Sequence, residues 1–161
     1  MEMKNQTGNG KIISLCRYPE KKMPAVYEEE LMVKENYGIV GDHHADGGER
    51  QISLLTLEEK AWMEAQEIKG FCFKKYKENI LLDKLSIKGC RKGDRLICGE
   101  VVLEFTESIK SCHPELCKLA SMHQECILAG SARFAKVKKE GILRKGMEVF
   151  CYEKDGEVEC D

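Results

Sequence analysis

The sequence has no apolar run approaching the ~18 residues that span a bilayer as a helix, no excess of either charge and no internal repeat. Each absence excludes something. Without such a run, helical membrane spans are excluded, and the polar start Met1-Glu2-Met3-Lys4-Asn5 has none of the features of a secretory leader. Lys and Arg number 26 against 28 Asp and Glu, a formal charge of −2, so nothing global recruits nucleic acid or an acidic membrane. A cytoplasmic protein with neither as a partner is the expectation. Basic residues outnumber acidic ones locally, over residues 69–95 and 133–145. A solvated face and an anion-attracting rim are both open readings of those stretches.

Cysteine, by contrast, is plentiful. Nine in 161 residues is an odd count, and Cys16, Cys98 and Cys151 lie inside apolar, strand-like runs. Both facts argue against a disulfide framework and for thiols used as small buried hydrophobes in a reducing compartment. The length fits one domain with a real core. The expected organisation is a single domain over 1–161, with a core at about 11–152, a polar arm at 1–10 and an acidic tail at 153–161.

The patterning is mainly β with a few helices. Residues 11–17 read as a first strand, 18–24 as a proline-containing loop, and 25–37 as either helix or strand. Residues 51–55 form a buried strand that runs into the clearest helix. Thr56-x-x-Glu59 is a capping box, and Leu57, Ala61, Trp62 and Ala65 follow at helical spacing, with Trp62 expected as a core anchor and Gly70 as the stop. A strand is expected at 78–82. Gly99-Glu100 is a two-residue hairpin turn between 95–98 and 101–106, and further strands are expected at 133–138 and 147–152. Many short strands with one good helix indicate a β-barrel or compact β-sheet domain.

Two segments carry candidate chemistry. In Cys112-His113-Pro114, proline favours the first helical position and makes His113 an N-cap. Cys112 then sits beside free amides and a positive helix end, with Lys110 and His113 nearby, a setting that favours thiolate. A structural cysteine is the alternative. Zinc is another, through Cys112, His113, Cys117, His123 and Cys126, although that spacing does not match paired short-loop zinc motifs. A phosphatase loop is excluded, because Lys118 stands where arginine belongs. The second segment, residues 41–50, packs Gly41, Asp42, His43, His44, Gly47, Gly48 and Arg50 ahead of the buried strand. It reads either as a simple turn, with Arg50 paired to Asp42 or Glu49, or as a binding loop with Arg50 forked onto an anion. In an extended segment, only one of the two histidines would face a pocket.

Taken in order, Gly41-Asp42-x-His44, Arg50-Gln51-Ile52-Ser53-Leu54-Leu55, Glu78-Asn79-Ile80, Gly93-Asp94 and Cys112-His113 with Cys117 resemble the MOSC domain, the C-terminal domain of molybdenum cofactor sulfurases. The likeness covers about residues 38–150. It implies a MOSC-like, pyruvate-kinase-barrel-like β-barrel with Cys112 as its functional centre, carrying persulfide sulfur or ligating molybdenum. It implies Asp42, His44, Arg50 and Asn79 as cofactor-binding residues; on the reading built from it, the basic side chains of Lys110 and Arg133 join Arg50 in holding the phosphate of the molybdenum cofactor (molybdopterin). The implied partners are a pyridoxal-phosphate-dependent cysteine desulfurase as sulfur donor, and the molybdenum cofactor or its acceptor enzymes. No pyridoxal phosphate site of its own is visible. A second reading from the family is a molybdenum-dependent reductase component acting on N-hydroxylated compounds, and a third, from the residues, is a zinc-stabilised binding module. The link 46–49 lacks an expected aromatic residue, and 109–111 vary the approach to the cysteine.

Overall fold

The computed structural model describes residues 6–66, 77–87, 89–106 and 133–154. Its strands are β1 (Gln6–Arg17), β2 (Val26–Glu28), β3 (Glu30–Lys34), β4 (Gly38–Ile39), β5 (Ile52–Thr56), β6 (Ile80–Asp83), β7 (Arg95–Cys98), β8 (Val101–Phe105), β9 (Arg133–Lys139), β10 (Gly141–Arg144) and β11 (Glu148–Tyr152), and one helix, α1 (Leu57–Ala65), follows β5. Seven of the strands close on themselves in the order β11-β7-β8-β9-β5-β6-β1, with β1 returning to β11; β2 lies beside β1, and β10-β3-β4 make a small second sheet. This is a mainly β, single-barrel fold of the expected class.

Period-two burial builds the barrel interior. In β8, Val101, Leu103 and Phe105 are buried while Val102 and Glu104 are less so, and β7 buries Leu96 and Cys98. All five residues of β5 are buried. That strand faces the interior on one side, and α1 contacts it and β6. A two-sided strand reads as a continuous apolar run, as Ile52-Ser53-Leu54-Leu55 does. β5 and β6 are parallel, an arrangement that needs a crossover such as the one that begins with α1; β1 pairs antiparallel with β6 and β11. Where β1 crosses β6 the backbones approach closely, and a Cβ on Gly10 would overlap the Asp83 carbonyl and Leu85.

The structure corrects several expectations. Residues 6–10 are not an arm: they extend β1 and pair with β11, from Gln6 opposite Tyr152 to Gly10 opposite Val149. A polar, glycine-rich segment forms strand here because a ready partner edge satisfies its backbone, which outweighs local propensity. The ambiguous 25–37 segment resolves as β2 and β3, and the linking residues 141–144 form β10 against β3. The capping box forms: the Thr56 hydroxyl accepts from the Glu59 amide and bonds the Glu59 carboxylate. The helix does not bury the expected face. Glu59, held at the helix end by Thr56, is its buried residue; Trp62 is half-buried, while Leu57, Ala61 and Ala65 are exposed. Gly70 lies outside the described residues. Among the described residues, no helix is long and apolar enough to cross a membrane.

Candidate functional site

The loop between β4 and β5 is exposed except at Asp42, half-buried Ala45 and Gln51, which is buried at its end. Gly41, at φ +89°, gives the turn a left-handed step beside the Arg17 guanidinium, which donates to its carbonyl at 3.3 Å. Two successive turns follow, with Asp42 N donating to Ile39 O and Ala45 N to Asp42 O.

The Asp42 carboxylate, 6% exposed, is the hub. Its Oδ2 accepts from Tyr18 N at 3.0 Å and from Asn79 Nδ2 at 2.9 Å, while Oδ1 accepts from His44 N at 2.7 Å and bonds His44 Nδ1 at 3.0 Å. Burial alone would raise its pKa. The hydrogen bonds from the His44 ring and the Tyr18 and His44 amides outweigh burial and hold the carboxyl below its ordinary range. Asn79, 2% exposed, is equally committed. Its Nδ2 also donates to Cys16 O at 3.2 Å, and its Oδ1 accepts from the amide and hydroxyl of Ser53, both at 3.0 Å. Asp42 and Asn79 therefore have little hydrogen-bonding capacity left for a ligand. They position the loop across β1, β5 and β6.

What they present is His44. With Nδ1–H donated to Asp42, the ring offers Nε2 as its open atom, and the side chain is 43% exposed. The turn also stacks His43 on His44, with centroids 3.8 Å apart, so both rings lie together rather than on opposite faces as an extended segment would place them. His43 titrates below its ordinary value, through desolvation first and then the neighbouring His44 charge; Lys21 and Lys77 act in the same direction. Lys77 also lies over the Tyr18 ring, 5.7 Å from its centroid. Histidines and lysines thus form an exposed rim that favours anions.

The structure brings Asp42, His44 and Asn79 together. Arg50 is exposed and lies over the Phe134 ring at 4.6 Å, next in sequence to Arg133, rather than turned onto Asp42. Arg133 is buried at 4% and its Nε donates to Cys90 O at 3.4 Å. Cys112 and Lys110, with the whole candidate zinc segment, lie outside the described residues. Cys16, Cys90, Cys98 and Cys151 are all buried free thiols, as the apolar runs around three of them indicated. Burial first pushes the Cys16 thiol up, and it donates to Glu78 O at 3.2 Å.

The fold carries further information. YuaD from Bacillus subtilis superposes with a TM-score of 0.68 at 18% identity, over 91% of this chain and 97% of its own. YiiM from Escherichia coli matches with a TM-score of 0.58 at 16% identity, over 90% of this chain and 71% of its own. For YiiM from Geobacillus stearothermophilus the values are 0.55 and 19%, over 89% and 75%. No protein-family model and no curated protein matches the chain in sequence. The barrel is the one these proteins share. Identity this low shows the fold alone.

Sequence reasoning missed three contributors to this site. Ser53, 7% exposed, bridges β5 to Asn79. A lone serine inside an apolar strand was the available signal, since a buried hydroxyl needs a partner. Tyr18 supplies an amide to Asp42 and its hydroxyl to Glu78 O at 3.1 Å. Lys60 holds the Glu78 carboxylate at 2.7 Å; burial would lower its pKa, but that bond raises it. Neither of these last two had a local sequence signal, because they join β1, α1 and β6 across the fold.

Proposed function

We propose that this protein is a stand-alone MOSC-like domain acting as a sulfur carrier, with Cys112 as the carrying residue and His44 as the protonatable group of the site. The observation that supports it most is the Asp42–Asn79–Ser53 network, which spends three buried side chains on holding one exposed imidazole beside a basic rim. Sulfur transfer balances without redox. The Cys112 thiolate attacks the terminal sulfur of a donor persulfide, the donor's S–S bond breaks, and the donor leaves as thiolate while Cys112 gains the persulfide. A persulfide and a thiolate are anions at neutral pH, which suits the rim, and His44 would hold or release the proton that accompanies them. A pyridoxal-phosphate-dependent cysteine desulfurase is the class of donor.

The molybdenum cofactor fits the described residues less well. Asp42 and Asn79 are internally committed, Arg133 is buried against a carbonyl, and the described thiols are all buried; Arg50 and His44 alone of the described candidates face outward. No step is routed through that group.

The test is mass spectrometry of protein incubated with a cysteine desulfurase and cysteine. The wild type should gain one sulfur on the Cys112 peptide, and Cys112→Ser should lose it with an unchanged unfolding midpoint. His44→Gln should slow loading about tenfold or more. Equal sulfur retention by Cys112→Ser ends the assignment.

A further inference from the structure

Two thiols away from that network face each other. Cys90 lies in the turn that leads from β6 to β7, Cys151 lies on β11, and their sulfurs are 3.3 Å apart. Cys90 is 7% and Cys151 1% exposed. The backbones on either side are already tied. Cys151 pairs with Leu96 of β7, Asp94 Oδ1 accepts from Lys154 N at 2.9 Å, and Asp94 Oδ2 accepts from Arg91 N at 2.9 Å. The turn and the end of β11 are therefore held together whether or not the sulfurs are joined.

At that distance either sulfur can donate to the other. Donation from Cys90 holds the Cys151 thiol down at about 7 against the effect of burial, while the same bond, and then burial, push Cys90 up. Cys98, buried on the same barrel, shows the contrast: burial alone takes it up to about 12. A thiolate touching a neutral thiol is the reactant pair for internal disulfide formation.

We propose that Cys90 and Cys151 are a reversible oxidation site, converted by a small hydroperoxide into an internal disulfide. The Cys151 thiolate attacks one peroxide oxygen, the O–O bond breaks, and hydroxide leaves, giving a sulfenic acid. The Cys90 sulfur then attacks the Cys151 sulfur, the S–O bond breaks, and water leaves with the Cys90 proton. Two electrons pass from the sulfurs to the peroxide, and a dithiol reductant returns them. The cross-link fixes the turn whose Cys90 carbonyl accepts from buried Arg133, and joins the entry of β7 to the strand that closes the barrel. It does not depend on the sulfur-carrier reading.

The experiment exposes the full chain to hydrogen peroxide, alkylates the remaining thiols after denaturation, and maps cross-linked peptides without reductant. A Cys90–Cys151 cross-link should dominate, dithiothreitol should reverse it, and the oxidised protein should melt about 5 °C or more higher. Cys112→Ser should form the same cross-link, whereas Cys90→Ser and Cys90→Ala should form none and show no peroxide-dependent rise in Tm. Full alkylation of both cysteines in oxidised wild type overturns the proposal, as does a cross-link yield no greater than that between other cysteine pairs.

Discussion

Asp42 and Cys151 are both buried ionisable groups of the same domain, yet their surroundings have opposite logic. Asp42 accepts four hydrogen bonds from three residues, so its charge is distributed over fixed donors and nothing about it is left to react. The Cys151 sulfur has fewer partners, a facing thiol at 3.3 Å and the Thr7 hydroxyl. Saturation makes a positioning device; scarcity of partners makes a reactive one. The basic rim and His44 belong to the first kind of region, and the oxidation site to the second.

The sharpest way to break that comparison is Asp42→Ala. It leaves the Tyr18 and His44 amides and the Asn79 carboxamide without their acceptor, and the expected loss is about 3 kcal/mol in urea unfolding. A loss under about 1 kcal/mol, no larger than that of an average single substitution, would erase the distinction. A pH series sharpens it further. The native Asp42 carboxyl binds its proton less readily than in the unfolded chain, so its stabilising contribution is complete above the ordinary value of 3.8 and fades as pH falls through the lower native value. Unfolding midpoints should drop on acidification through that range, and Asp42→Asn should flatten the drop. The smallest effect belongs to a surface pair. Arg144 Nε and Glu30 lie 2.9 Å apart with both side chains about half exposed, and Arg144→Ala should change stability by no more than about 0.5 kcal/mol.

Local chemistry explains which parts of this molecule could be read from sequence. Gly99-Glu100 and Thr56-x-x-Glu59 each encode their structure within four residues, and both formed as expected. Strand β10 and the first five residues of β1 did not show, because each depends on an edge supplied by another part of the chain, β3 for one and β11 for the other. The face of α1 was misread for a related reason: spacing identifies an apolar stripe, but the capping bond from Thr56 decided that Glu59 is the residue turned inward. In the site, the resemblance grouped Asp42, His44 and Asn79, and hydrogen bonds hold the three together. Their roles were not legible. Only the hydrogen bonds reveal that two of the three are committed internally and serve the third, and only the turn geometry places His43 against His44.

Barrel closure has a consequence for how the chain is made. Strand β1 is synthesised early, but its neighbour β11 comprises residues 148–152, so the seam between them stays open until nearly the whole barrel sequence has left the ribosome. Until then residues 6–11 of β1 carry an edge whose β11 partner is missing. Nascent chains stalled before residue 148 should accordingly be the form of this protein most dependent on chaperones.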